Sequence, residues 1–216
     1  MYKPSLFIFD MDGLLVDSEG VGLDVMRQCG RMQGYDLPLP MIRSTLGSAM
    51  APSCALYERH FPGIDTRRLF ADFVRRMHLL AEEGKVPLKK GALSLLDDLK
   101  ARGIPCAVAS SSGPDTIRLY LEKAGVYDAF SVIVAANASR PSKPAPDIFL
   151  EAAEKLGVPP RHCLVLEDSV NGVKAGRAAG MQVAMVPDQI PFSESLRPYC
   201  DHVLADLTAV TPLLAP

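Results

Sequence analysis

Residues 7–19, Phe7-Ile8-Phe9-Asp10-Met11-Asp12-Gly13-Leu14-Leu15-Val16-Asp17-Ser18-Glu19, decide how this chain is read. With Leu6, the first three form an apolar run of the length of a buried strand. It stops at two carboxylates, Asp10 and Asp12, with Gly13 directly behind them. Two residues apart in extended chain, both side chains leave the same face. A core strand that runs straight into paired negative charge asks what that charge is for.

The rest of the chain repeats the strand without the aspartates. Short apolar runs at 104–109, 131–135, 163–166 and 182–186, and a weaker one near 202–204, alternate with helical patterns at 91–102, 115–124, 146–156 and 170–179. Gly103, Gly125, Gly157 and Gly180 end these helices, as expected of a residue that accepts the left-handed conformation without penalty. Alternating strands and helices predict an α/β fold, a parallel sheet covered by helices on both faces.

One stretch breaks the alternation. From 18 to 84 there is no convincing strand, and Leu69, Phe70, Phe73, Val74, Met77 and Leu80 recur at three- and four-residue steps behind Asp65, a candidate N-cap. An ordinary crossover needs about a dozen residues or somewhat more. The block is therefore expected to be an inserted α-helical cap. The predicted division is a core of 1–17 and 85–216 and a cap of 18–84, with hinges near 14–18 and 84–90.

In open parallel sheets, ligands bind beyond the carboxyl ends of the strands. Asp10 and Asp12 follow the first strand, Ser110-Ser111-Ser112-Gly113 the second, and Glu167-Asp168 the fourth, while Lys143 lies in the loop after the third. For Asp10 and Asp12 the competing reading is a solvated strand end. A calcium loop of the EF-hand kind is excluded, because its glycine stands sixth and a helix precedes it. In the functional reading a divalent cation keeps Asp10 ionised as a nucleophile toward phosphorus, and Asp12 carries a proton to and from the leaving group. Gly13 lets the chain turn away.

Glu167 and Asp168 could be simple helix caps. Beside a second carboxylate pair, however, their charge needs an offset, and Mg2+ suits such a site. Asp168 is the expected direct ligand and Glu167 an outer-shell partner. Ser110 and Ser111 precede a helix start, where phosphate sits well and where an ordinary cap would look the same. Lys143, in a proline-rich loop, is either solvated or held over the site.

Bulk properties narrow the partners. A net charge of −2 and a pI near 6.1 argue against nucleic acid. No stretch approaches a membrane span, and the first residues do not read as a signal peptide. Five scattered cysteines without a CxxC pair suggest reduced thiols and a cytoplasmic protein. Residues 18–84 carry eight arginines and no lysine. Arg27, Arg43, Arg59 or Arg75 could meet an anionic substrate there, although a solvated helix face explains most such residues.

In their order, FIFDMDGLLVDSE, AVASSSG, SKPAPDIF and LVLEDSVNGVKAG resemble the haloacid dehalogenase-like hydrolase superfamily, nearest the subgroup of β-phosphoglucomutase and sugar-phosphate phosphatases. The resemblance covers about 5–187. It implies a Rossmann-like core with an α-helical cap, and Mg2+-dependent phosphoryl transfer through an aspartyl-phosphate on a small phosphorylated metabolite. By that likeness Asp10 is the nucleophile and Asp12 the acid/base. Ser110 and Lys143 hold the phosphoryl group, with Ser111 beside them, and the metal sits on Asp10, the Asp12 carbonyl and Asp168.

The family's dehalogenases lack the second aspartate, so Asp12 points away from them. Its mutases carry a histidine, an arginine and a lysine where this chain has Gly22, Met50 and Gly113. Hydrolysis is therefore expected, with mutase activity as the alternative; a monomer is expected as well, although nothing in the sequence reads out oligomeric state. A phosphorylatable, receiver-like regulator is the non-enzymatic rival; the acid/base Asp12 and the cap argue against it.

Overall fold

A computed structural model describes residues 3–46 and 50–214 of the chain. Six parallel strands form one sheet: β1 (Leu6–Phe9), β2 (Cys106–Ala109), β3 (Val132–Val134), β4 (Cys163–Glu167), β5 (Gln182–Met185) and β6 (His202–Val203). Their spatial order is β3-β2-β1-β4-β5-β6. The order runs outward in both directions from β1 and β4, so the switch point, where an open sheet leaves a crevice, falls between those two strands. Phe9 pairs with Leu166 in that register. It thereby sets Asp10 against the end of β4, and Asp10 N–H donates to Leu166 O at 3.0 Å.

The central strands β1, β2 and β4 are buried on both faces, and the edge strands β3 and β6 are half-buried. Phe7, Phe9, Val108, Leu164 and Leu166 face one apolar cluster, and Leu6, Ile8, Ala107, Val165 and Val183 face the other. Helices α5 (Ala92–Ala101) and α6 (Pro114–Lys123) cover the first face, and α7 (Asp147–Lys155) and α8 (Val170–Ala178) the second. Each fully buried Phe, Leu or Ile contributes about 1.5–3 kcal/mol. The charge at the end of β1 is thus carried by a strand anchored on both sides.

Between β1 and β2 the chain forms α1 (Ser18–Met32), α2 (Leu39–Ser44), α3 (Met50–His60) and α4 (Thr66–Glu82) before returning to α5. Asp65 caps α4 by accepting from Arg68 N–H at 2.9 Å. The two crossings lie side by side: Asp17 N–H donates to Pro87 O and Lys89 N–H to Leu15 O. An antiparallel bridge joins Val16 to Leu88. Apolar residues of the helical segment, among them Leu23, Met26, Tyr57 and Leu69, join the same buried cluster as Phe9 and Leu166.

The expected elements are present with trimmed ends. The strands expected at 104–109, 131–135 and 182–186 begin or stop one or two residues inside those limits, and β4 extends by one residue to Glu167. Gly91 is not the first residue of α5 but its left-handed N-cap, at φ 87°. Cys29, Cys106, Cys163 and Cys200 are buried free thiols. Among the described residues no helix is long and apolar enough to cross a membrane.

Candidate active site

The carboxyl ends of β1, β2 and β4 bring Asp10, Asp12, Ser110, Glu167 and Asp168 to one rim, and the loop after β3 adds Lys143. Asp10, Ser110, Glu167 and Asp168 are all buried. The Lys143 ammonium, whose side chain is only 6% exposed, bridges Asp10 Oδ1 and Glu167 Oε1. It also donates to Ala109 O at 3.1 Å and lies 4.8 Å from the Phe149 ring centroid. Burial works against the charged ammonium, but Asp10 and Glu167 outweigh it and push its pKa up.

Asp12 is set differently. Its Oδ1 accepts from Ser18 Oγ at 2.8 Å, and its Oδ2 accepts from Ser112 Oγ at 2.8 Å and Ser110 Oγ at 3.3 Å. Ser110 Oγ in turn accepts from Ser112 N–H, fixing the loop. One carboxylate is thus held by an ammonium and the other by three hydroxyls.

Two glycines make the acid cluster possible. Gly13 has φ 79°, and a Cβ there would collide with Asp168 Oδ2. A Cβ at Gly172, in the first turn of α8, would collide with the Glu167 carboxylate, whose Oε2 accepts from Ser169 N–H at 2.8 Å. Asp10, Glu167 and Asp168 offer carboxylate oxygens within 4.8 Å of one another. Burial, opposed by Lys143 and helped by Glu167 and Asp12, pushes the Asp10 carboxyl up to about 8. Burial and the charges of Glu167, Asp10 and Glu19 push Asp168 well above the usual carboxylate range. Buried, mutually repelling, oxygen-only donors are what a hard divalent cation would relieve.

Several participants escaped the sequence reading. Glu19 stands with Asp168 and Asp188 in a second acidic group, and burial plus Asp188 push it up to about 7. Lys89, at the returning crossing, donates to Asp188 Oδ1 at 2.7 Å and Asp17 Oδ1 at 3.4 Å. The rim therefore carries more acids than the four expected, and a second cation beside Lys143. Ser18 and Ser112 were also missed as partners of Asp12. The two-residue spacing of Ser110 and Ser112 directly behind β2 was the available signal.

Ser111 is exposed and lines a small cavity with Arg140, Ser142 and Lys143. A cavity of about 420 Å³ opens over Asp12, between the helical segment and the core, and none of Arg27, Arg43, Arg59 or Arg75 lines it. Arg27 pairs with Asp36, Arg43 donates to Gln189 and Arg75 pairs with Asp72. Gly22 lines the cavity. Met50 sits on an outer groove with Cys54 and Arg67, and Gly113 is the N-cap of α6.

The family model for haloacid dehalogenase-like hydrolases matches residues 4–180. A "Probable pseudouridine-5'-phosphatase" of Drosophila melanogaster is 33% identical over 213 residues, covering 95% of this chain and 90% of its own. Hexitol phosphatase B of Escherichia coli K12 is 33% identical over 210 residues, covering 94% and 93%. The crystal structure of a hydrolase of this family from Deinococcus radiodurans, with bound phosphate and sodium, superposes with a TM-score of 0.85 at 27% identity, over 99% of this chain and 98% of that one. The match spans both the strand that carries Asp10 and the strand that carries Asp168, and the chain belongs to the haloacid dehalogenase-like hydrolases.

Proposed function

We propose that the chain is a Mg2+-dependent phosphatase that hydrolyses a small phosphorylated metabolite, a sugar phosphate or similar, through an aspartyl-phosphate on Asp10. The observation that carries this is the unequal treatment of two adjacent carboxylates: Lys143 on Asp10, three hydroxyls on Asp12. Relatives named as phosphatases and a relative crystallised with phosphate point the same way.

In this reading a carboxylate oxygen of Asp10 attacks phosphorus and the bond to the ester oxygen breaks. Asp12 gives its proton to the departing alkoxide, which leaves as the alcohol. Water then attacks the phosphorus of the aspartyl-phosphate, Asp12 takes the water's proton, and phosphate departs. Lys143 and the Ser110 hydroxyl hold the phosphoryl oxygens during both displacements. Ser112 and Ser18 keep Asp12 aimed at the ester oxygen.

Asp10 and Asp168 would hold Mg2+ together with the Asp12 carbonyl, with Glu167 behind them. The ion's chemistry there is to neutralise charge on the phosphoryl group and to keep Asp10 ionised. Residues 18–84 serve as the cap over a core of 1–17 and 85–216, and the enzyme works as a monomer. The test is release of phosphate from p-nitrophenyl phosphate with and without Mg2+. Turnover that needs the ion and is lost in Asp10→Asn supports the reading; no turnover, or turnover indifferent to the ion, contradicts it.

A further inference from the structure

The cavity over Asp12 has an unusual wall for a site that would receive a sugar. Apolar side chains, among them Met26, Ile42, Phe70, Phe73, Leu119 and the Tyr120 ring, supply most of its surface. Three of its five hydroxyl residues donate within the protein, Ser18 and Ser112 to Asp12 and Thr45 to Ile42 O at 2.7 Å, which leaves Thr116 and the Tyr120 hydroxyl as the polar groups beside the rings. Among the described residues no lysine or arginine lines the space. His78 does, but it is paired with Glu82 at 3.3 Å.

The geometry points to a substrate class: monoesters of a primary alcohol that carries a flat apolar ring, with a single phosphate and few hydroxyls. This rests on the phosphatase reading above and narrows it. Phe70 and Phe73, on successive turns of α4, and Tyr120, on α6, offer ring edges and faces to such a body. A hexose brings several hydroxyls, and each one buried without a partner costs on the order of tenfold in kcat/KM. Among the described residues a second phosphate would meet no lysine or arginine in this space, and Glu19, which also lines it, would oppose the added negative charge. Gly22 keeps the space open: a Cβ there would touch the Phe73 ring at 3.5 Å, so a longer side chain would project into the room the ring needs.

The experiment compares kcat/KM for 2-phenylethyl phosphate, glucose 6-phosphate and fructose 1,6-bisphosphate, all esters of primary alcohols. The expected order favours 2-phenylethyl phosphate by at least about tenfold over glucose 6-phosphate, and by more over the bisphosphate. Phe73→Ala, at a half-buried position, should shrink the first ratio about tenfold; Gly22→Leu should shrink it too and serves if the alanine variant misfolds. Hydrolysis of all three with glucose 6-phosphate or the bisphosphate as good as the aromatic ester overturns the inference and leaves the phosphatase reading standing. A preference that survives both variants also overturns it, because the cavity is then not its source. Failure to hydrolyse any of the three, or p-nitrophenyl phosphate, overturns the phosphatase reading and the inference with it.

Discussion

Ser18 Oγ donates to Asp12 Oδ1 at 2.8 Å, so the first residue of the inserted helices holds the carboxyl assigned to proton transfer. Ser18 lies next to the crossing where Asp17 N–H bonds Pro87 O. The position of the helical segment and the aim of Asp12 are thereby coupled. Ser18→Ala removes a charge-assisted hydrogen bond of about 1.5–3 kcal/mol at most. It should lower kcat roughly tenfold, and Ser18→Thr, which keeps the hydroxyl, should restore most of it. Equal kcat in the alanine variant and the parent would show that the contact does not position Asp12.

The fold was legible where burial dictates sequence. LFIF, CAVA and CLVL can only be strands covered on both faces, and the glycines behind the helices mark their ends. The helical segment was legible as a block but not in its parts. In α4, Leu69, Phe73 and Met77 repeat cleanly, whereas α2 and α3 are short and bury only Ile42, Ser53 and Tyr57 among the described residues. Asp10, Asp12, Glu167 and Asp168 could be found because each stands at or just past the end of a strand. Glu19, Lys89 and Asp188 could not, since they meet through the paired crossings at Val16 and Leu88, a contact between positions far apart in sequence.

The acidic rim predicts a metal requirement graded by residue. Asp168→Ala removes a proposed direct ligand and should raise the Mg2+ concentration for half-maximal rate by a hundredfold or more. Glu167→Ala should raise it about tenfold, as outer-shell losses do. Titrating MgCl2 into chelator-treated protein and following phosphate release measures both. Full activity after exhaustive chelation, or the reverse order of the two variants, refutes the assignment.

Stability should depend on pH in a way the ion reverses. In an unfolded chain an aspartate titrates near 3.9, whereas burial pushes folded Asp10 up to about 8. The metal-free folded state thus keeps a proton that the unfolded state has lost, and its stability falls as pH rises from about 4 to about 8. Asp168 and Glu19, also raised, act in the same direction. Bound Mg2+ removes the reason for the shift. The difference in Tm with and without Mg2+ should be small at pH 5 and reach several degrees at pH 8, since about 1 kcal/mol moves Tm by ~2–4 °C at this size. Differential scanning calorimetry at both pH values decides it, and a Tm difference that shrinks as pH rises contradicts the account.

Isomerisation should be slow beside hydrolysis. A mutase must hold a second phosphate and shield its aspartyl-phosphate from water. Here Gly22 presents no side chain to the cavity, Met50 sits on the outer groove, and Gly113 caps α6 without a side chain. With β-glucose 1-phosphate and a trace of the 1,6-bisphosphate, any turnover should release free phosphate faster than it forms glucose 6-phosphate. Rapid glucose 6-phosphate formation with little phosphate release would reverse this conclusion.

The covalent role of Asp10 is the claim on which the rest depends, and it can be seen directly. The protein is mixed with a 32P-labelled ester and Mg2+, quenched in acid within milliseconds, and reduced with borohydride, which converts an acyl phosphate at aspartate to homoserine. Mass spectrometry of the peptide spanning Phe7 to Glu19 should find homoserine at position 10 alone, and Asp10→Asn should yield neither label nor homoserine. Label on Asp12 or another residue, or steady turnover in Asp10→Asn with no labelled protein, would contradict the account.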